Sequence, residues 1–244
     1  MIQRDAKQRP KMKNVASEIE RNLKINYRSN STAKTKIRHP VTKTNSIVPN
    51  ELNRTTTTTK NGHVVKDAET EATLAVDGEG RNELHWAAYN GNVDKIQQLV
   101  CEGVAVDVAD HKGKTALILA AYNGHVDVIH QLLNAGANVN AVSKDGKTAL
   151  TWAVLKALEG EESRLIVVKL LLERGADVNI KDVLVEETAL MLTAIHGNVT
   201  MVEMLLKAGA DVHAANKYGM TALKIASFYN HDNVVKILQG AAII

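Results

Sequence analysis

The feature that most constrains this 244-residue chain is a leucine-containing marker that recurs at almost constant spacing. Successive marker leucines are 33, 33, 40 and 33 residues apart, and four of the five follow a Thr-Ala pair. A fixed period of this length predicts a repeat protein, in which each unit is one small supersecondary motif that must stack on its neighbours to bury a core. The marker leucines are Leu84, Leu117, Leu150, Leu190 and Leu223.

One unit shows why each repeat folds as a pair of helices. Thr115 is a good N-cap because its hydroxyl accepts a hydrogen bond from a free amide of the first turn. Small side chains follow it, and the helix is expected to stop at Asn123-Gly124. A second helix then places Val128 and Leu132 at the four-residue spacing of a buried face. Gly136, nineteen residues after the marker leucine, supplies the left-handed exit.

These residues resemble the ankyrin repeat, and the phrase GKTALILAAYNGHVDVIHQLLNAGANVNA carries the resemblance clearly. Alanine stands where the family usually has proline after the threonine, so the units are of a short TAL type. The resemblance implies an all-α fold: a solenoid of helix-turn-helix units joined by β-hairpin-like turns, over about residues 77–240. The predicted repeats within residues 71–244 are 77–109, 110–142, 143–181, 182–215 and 216–244.

Residues 1–70 differ in composition from the repeats. They contain 15 Lys and Arg against 6 Asp and Glu, a net charge of +9, whereas residues 71–244 contain 15 against 21, a net of −6. Apolar residues are sparse in this segment and show no sustained period, so it is predicted to be a disordered basic tail. A solvated arm is the favoured interpretation. A targeting role, or contact with nucleic acid or an acidic membrane, is a less favoured alternative.

The sequence argues against catalysis, redox chemistry and membrane insertion. Cys101 is the single cysteine, and no run approaches the ~18 apolar residues of a membrane span. His85, His125 and His231 occupy family positions at which the imidazole satisfies backbone groups, so they are predicted to be structural. We therefore expect a monomeric, cytoplasmic protein that is not an enzyme and uses no cofactor, metal or small-molecule substrate.

The resemblance also implies where a partner protein would bind. Ankyrin domains use the tips of the turns and the exposed positions of the first helix, which line a concave face. The alternative for the apolar members is that they cover the seams between repeats. Lysines in several turns favour a partner with an acidic rim. The matching turn residues are Arg81, Lys112, Lys114, Lys147, Leu184, Val185 and Tyr218, and the helix residues are Tyr89, Tyr122, Asn123, Leu155, Ile195, His196, Phe228 and Tyr229.

Two irregularities interrupt the period. Repeat three carries six extra residues, placed at 157–162, where the first helix could continue before an acidic loop. The turn at 183–187 lacks the usual glycine and has one extra residue. Its apolar residues Val183, Leu184 and Val185 either pack onto the adjacent turns or form an exposed contact point. The leading functional hypothesis is a protein-interaction module or scaffold. The alternative is an effector, targeted or secreted into a host cell without a classical signal peptide, that modulates host proteins.

Overall fold

A computed structural model describes residues 76–158 and 164–242 of the chain. Ten α-helices occur in those residues, so the predicted all-α class is confirmed. The predicted tail and the acidic loop after residue 158 lie outside them. The helices are α1 Glu83–Asn90, α2 Val93–Cys101, α3 Ala116–Asn123, α4 Val126–Asn134, α5 Ala149–Leu158, α6 Leu165–Glu173, α7 Ala189–His196, α8 Val199–Lys207, α9 Ala222–Phe228 and α10 Asp232–Ala241.

Helices α3 and α7 begin and end as the sequence predicts for the first helix of a pair. The Thr115 hydroxyl accepts a hydrogen bond from the amide of Ile118, and Gly124 follows the helix in the left-handed conformation with φ of 80°. Thr188 and Gly197 do the same for α7. A left-handed residue at this point suits glycine because glycine has no Cβ to clash with the following carbonyl. Helix α5 is two residues longer than α3, consistent with the predicted continuation into the insertion.

Five short turns, here called fingers, precede the five helix pairs. In each finger the amide of the first residue donates to the carbonyl of the last, as from Asp110 to Lys114 at 2.9 Å. The Asp110 carboxylate also accepts from the amides of Lys112 and Lys114, both at 2.8 Å. An Asx side chain that binds its own turn in this way fixes the backbone locally. The fingers are residues 77–81, 110–114, 143–147, 182–187 and 216–220.

Neighbouring fingers are joined by one backbone hydrogen bond each. The amide of His111 donates to the carbonyl of Glu79 at 2.8 Å, and that of Lys144 donates to the carbonyl of Lys112 at 2.9 Å. The loops after the second helices form a similar ladder through side chains: Asn140 Oδ1, for example, accepts from the amide of Asp177 at 2.8 Å. The first four repeats are thereby joined in succession at both ends of the helix pair.

The core lies between and within the helix pairs. The first helices pack against one another in succession, and each also packs on its own second helix. Helix α3 is buried along most of its length, from Ala116 to Ala121, whereas α4 buries only Val128, Ile129 and Leu132. Small alanines on the first helices allow close approach, and the amphipathic second helices cover one side of the stack. The predicted solenoid of stacked pairs is confirmed, while the repeat bounds themselves stay predictions.

Within residues 76–158 and 164–242, no helix is long and apolar enough to cross a membrane. The same residues contain no group of three or more His, Cys, Asp or Glu side chains arranged to hold a metal ion.

Candidate protein-binding surface

Histidines connect the first helices across two of the seams between repeats. His125 Nε2 donates to the carbonyl oxygen of Tyr89 at 3.0 Å, and His231 Nε2 donates to that of Ile195 at 2.9 Å. A Cβ on Gly91 would lie 2.6 Å from the His125 ring, so glycine leaves the room that the imidazole needs. The predicted structural role of these histidines is confirmed.

His85 is also structural. Its Nδ1 accepts from the amide of Asn82 in a capping box, and its Nε2 donates to the carbonyl of Lys114 at 3.1 Å. The side chain is fully buried, and burial lowers the pKa of His85 below its ordinary value. A neutral imidazole has one donor and one acceptor, which is what this position uses.

The third repeat closes its seam with a different side chain. Its second helix follows the insertion, and Arg164 Nη1 donates to the carbonyl of Tyr122, the site equivalent to the Tyr89 carbonyl. Asn123 also belongs to a seam, since its Nδ2 donates to the Tyr89 carbonyl at 3.1 Å. The seam alternative therefore describes Asn123 better than an exposed contact does.

An aromatic pair with lysines around it lies at the second and third repeats. The rings of Tyr122 and Trp152 meet edge to face with centroids 5.3 Å apart. Lys114 Nζ lies 4.6 Å from the centroid of Trp152 and 5.7 Å from that of Tyr122. Lys156 Nζ lies 4.7 Å from the Tyr122 centroid, and Lys147 Nζ lies 5.9 Å from that of Trp152. An ammonium over an aromatic face is attracted by the ring quadrupole.

Within this group, burial differs sharply. Trp152 is 4% exposed and Lys147 is 2% exposed, whereas Lys114, Tyr122 and Lys156 are half-buried. The indole of Trp152 is therefore the buried base of the group. Its accessible side, which we call its mouth, is formed by Lys114, Lys156 and Tyr122. We call the five residues the lysine-aromatic cluster. Leu155, also half-buried, follows Trp152 by three residues on α5, so it lies close to the same helix face.

The first repeat has a related arrangement in which the cation is already paired. Arg81 lies over the Trp86 ring, 5.3 Å from its centroid, and its guanidinium forms ion pairs with Glu79 at 2.5 Å and Asp110 at 3.5 Å. Tyr89 meets Trp86 edge to face at 5.9 Å. Lys112 is exposed and pairs with Glu79 at 3.5 Å. Arg81, Trp86, Tyr89, Leu155 and the lysine-aromatic cluster together form what we call the finger-side surface.

Three residues of the expected binding set are buried. The seam alternative describes Ile195, packing onto the adjacent finger describes Val185, and the expected exposure of Lys147 is wrong. Ile195 is 9% exposed because α7 is buried from Ala189 to Ile195 between neighbouring first helices. Val185 is 3% exposed because its carbonyl pairs with the amide of Lys217 in the next finger, which brings that finger over it. Lys147 is enclosed beside Trp152 and forms an ion pair with Asp145 at 3.5 Å.

The fourth finger also buries a carboxyl group. Glu187 is 4% exposed, and burial, with the nearby Asp182 carboxylate, raises its pKa from 4.5 to about 7. Lys147, the side chain of Asn216 and Lys217 act in the opposite direction. Leu184, by contrast, is 46% exposed, and Val183 is 63% exposed, as the finger-tip prediction expected for the apolar residues there.

The remaining predicted residues lie near the last repeats. His196 is exposed, and its Nδ1 donates to the carbonyl of Leu192 at 2.9 Å. Phe228 and Tyr229 are half-buried and meet edge to face at 5.2 Å, while Lys217 Nζ lies 5.0 Å from the ring centroid of Tyr218. These side chains belong to the fourth and fifth repeats, whereas the lysine-aromatic cluster belongs to the second and third, so we treat them as a separate group.

Sequence reasoning missed both tryptophans. Trp86 and Trp152 are the only two in the chain, and each comes two residues after its marker leucine. Leu119, Leu192 and Ile225 occupy the same position in the other repeats. Comparing the residues at this position across the five repeats would have identified Trp152, the ring over which the Lys114 ammonium lies.

Comparisons with known proteins agree with this architecture. The family model described as "Ankyrin repeats (3 copies)" matches residues 84–182 and 163–243. Because these matches cover well over half of the chain, the protein belongs to the ankyrin-repeat family. Ankyrin repeats indicate a protein–protein interaction module, and the family is generally not enzymatic.

Several curated proteins are similar over shorter stretches. The Notch-regulated ankyrin repeat-containing proteins of Homo sapiens and, as protein A, of Danio rerio are each 44% identical over 52 residues, which is 21% of this chain and 46% of theirs. Alpha-latrotoxin-Lhe1a of Latrodectus hesperus is 39% identical over 71 residues, 29% of this chain and 5% of the toxin. The chain thus covers less than half the length of each of these relatives.

Proposed function

We propose that this protein binds another protein through its finger-side surface. The observation that carries the proposal is the lysine-aromatic cluster, in which Tyr122 and two lysines are partly accessible above a buried indole. Aromatic and cationic side chains that lie on a rigid, well-packed support are the groups that most often dominate the energy of protein interfaces. The support here is rigid because α3 and α5 pack against each other directly below the cluster.

The second helices offer a poorer binding face. Their outward side chains are polar or charged and belong to helices that bury one face only, as in α4 and α8. Scattered exposed apolar residues such as Ile166, at 57%, do not form a patch with aromatic neighbours. Binding on the finger side also leaves the seams undisturbed, so the domain can act as a preformed surface.

Site-specific photocrosslinking tests this proposal. A benzophenone amino acid placed at Tyr122 or Leu155 should give discrete protein adducts in extracts of the source cells. The same group at Lys169, an exposed residue of α6, is the matched control and should give none. Adducts that form equally from Lys169, or that fail to form from both finger-side positions, would show that the binding face is wrong.

Ile195 is not a suitable probe of this face, since truncating a side chain that is 9% exposed would remove core packing, at a cost of ~2–5 kcal/mol. Tyr122 is half-buried and avoids most of that cost. The effector hypothesis concerns where the chain acts, and it stays a sequence-based prediction.

A further inference from the structure

We propose that the partner segment is acidic, and that one of its carboxylates binds Lys114 at the mouth of the lysine-aromatic cluster. This proposal rests on the proposed function and names the chemistry of the partner. The occupant we favour is a short peptide segment with several Asp or Glu residues and an apolar side chain to cover Tyr122 and Leu155.

The first reason is that Lys114 is held without an anionic partner. Its ammonium lies over two rings, and no carboxylate of the described residues lies within 4.0 Å of it. Burial lowers the pKa of Lys114, which shows that its surroundings disfavour the charge. Asp145 and Asp110 oppose that effect only from a distance. An incoming carboxylate would restore a charge-assisted hydrogen bond that the ammonium lacks.

The second reason is a surplus of hydrogen-bond donors beneath Lys114. Lys147 Nζ and Trp152 Nε1 are both buried, and neither has a hydrogen-bond partner among the described residues. Both side chains are more than nine-tenths buried, so their dipole or charge acts through a medium that screens it weakly. Lys147 is already ion-paired with Asp145 at 3.5 Å, so the charge of Lys114 and the unpaired N–H of Trp152 are the groups here that favour an anion.

The third reason is the contrast between this place and the rest of the repeats. The second and third fingers hold four lysines against Asp110 and Asp145, and Lys156 adds a fifth cation beside Tyr122. The whole of residues 71–244, however, has a net charge of −6. A long polyanion such as nucleic acid would be repelled by most of this surface, whereas a short acidic segment meets only the positive part.

Arg81 shows what a satisfied version of the site looks like. It lies over Trp86 as Lys114 lies over Trp152, but it already has Glu79 and Asp110 within 3.5 Å. The second finger supplies the carboxylate for the first-repeat cation. Among the described residues, Lys114 has no carboxylate within 4.0 Å, and in this proposal the partner segment supplies one.

The test uses Trp152 as an internal reporter in the full-length Trp86→Phe variant, in which it is the single tryptophan. The probe is a blocked peptide of eight glutamates with one central leucine, compared with the same peptide carrying glutamine, with inorganic phosphate and with an oligothymidylate of eight nucleotides. We expect the glutamate peptide alone to give a saturable change in Trp152 fluorescence, with an apparent Kd that rises with salt.

Lys114→Met and Lys112→Met form the matched pair of variants, because they remove the same charge from one finger two residues apart. We expect Lys114→Met to weaken peptide binding about tenfold. Lys112→Met should weaken it only about twofold, because Lys112 is exposed and already ion-paired with Glu79. Lys114→Arg should keep most of the affinity. Equal losses in the two methionine variants, or equal binding of the glutamine peptide, would overturn the proposal.

A measurement on the unsubstituted lysine guards against misfolding of the variants. The pKa of Lys114, followed by carbon-13 NMR of its Cε, should rise when the glutamate peptide is added, because a carboxylate stabilises the ammonium. An unchanged Lys114 pKa at saturation would overturn the proposal, as would tighter binding of phosphate or the oligothymidylate. Photocrosslinks from Tyr122 without any of these effects would leave the protein-binding surface standing and remove only its acidic specificity.

Discussion

The third and fourth fingers are neighbours built from the same plan with different residues. The third finger, residues 143–147, has five residues, and its Gly146 is left-handed with φ of 79°. The fourth, residues 182–187, has one residue more and passes through Glu186 with φ of 58°, the position at which the other fingers have glycine. Both nevertheless close with a backbone hydrogen bond from the first residue to the last.

The comparison teaches that the contact between fingers, rather than the finger itself, fixes what is exposed. Val183 donates to the carbonyl of Asp145, and this pairing sets Lys147 beside Glu187 inside the molecule. The extra residue of the fourth finger is accommodated outward, where Leu184 is exposed. The same kind of turn can therefore bury a lysine in one repeat and a carboxyl group in the next.

The largest effect is expected from closing the space between these two fingers. In Gly146→Ala the new Cβ would lie 2.8 Å from Asp182 Cα and still closer to the Val183 amide, in a left-handed backbone. Strain and overpacking together should lower the free energy of unfolding by about 3–5 kcal/mol, measured by urea denaturation. Gly219→Ala is the control, since its φ is 72° but nothing lies within 4 Å, and it should cost about 1–2 kcal/mol. Equal losses of unfolding free energy in the two variants would mean that the third and fourth fingers are not closely packed at Gly146.

The next effect is a pH dependence that belongs to the fourth finger alone. The pKa of Glu187 is raised from 4.5 to about 7, so the folded state binds its proton more tightly than the unfolded state does. Stability from this group is present in full below pH 4.5, falls as the pH rises to about 7, and is level above that. The total is about 3 kcal/mol, and the nearby groups Asp182, Lys147, Asn216 and Lys217 contribute to it.

Denaturation of Glu187→Gln at a series of pH values measures this contribution. The difference in free energy of unfolding between the wild type and this variant should change with pH between 4.5 and 7. Taking this difference cancels the contribution of the histidines, which both proteins share. Glu186→Gln, a change at the exposed neighbouring position, should show no such slope. A flat difference for Glu187→Gln would mean that the carboxyl is not held in the buried setting described.

The smallest effect concerns the backbone of the fourth finger. Glu186→Gly should raise the free energy of unfolding by about 1 kcal/mol, because glycine occupies a left-handed conformation without the Cβ clash. The ion pair lost with Lys181 spans 3.9 Å at the surface and contributes little. Glu186→Ala separates the two causes, since it removes the charge but keeps the Cβ. A gain of stability in the alanine variant would assign the effect to charge instead.

Much of the fold could be predicted because it depends on local rules repeated at a fixed period. Thr115 as a cap and Gly124 as a left-handed exit follow from residue type and position alone. The structural roles of His125 and His231 follow from their place in the repeat. Each of these residues acts on a backbone group whose position the period already determines.

The candidate surface was harder to predict because burial there depends on the neighbouring repeat. Lys147 is a charged turn residue and Val185 is an apolar one. Their sequence context does not show that both are buried, because their burial depends on the pairing of adjacent fingers. Arg164 replaces a histidine across a seam, but it follows an insertion that hides its equivalence in the sequence. The lysine-aromatic cluster draws on two fingers and two helices, so spacing within one repeat does not reveal it.

The hydrogen-bond ladder between fingers has a consequence for how the molecule would come apart. Each rung reaches only the adjacent repeat, so a weakened rung at Val183 and Asp145 would not loosen the array evenly but would divide it into a block of three units and a block of two. About three units are needed for a stable stack. The C-terminal block of two units would therefore unfold first, at a lower temperature than the block of three.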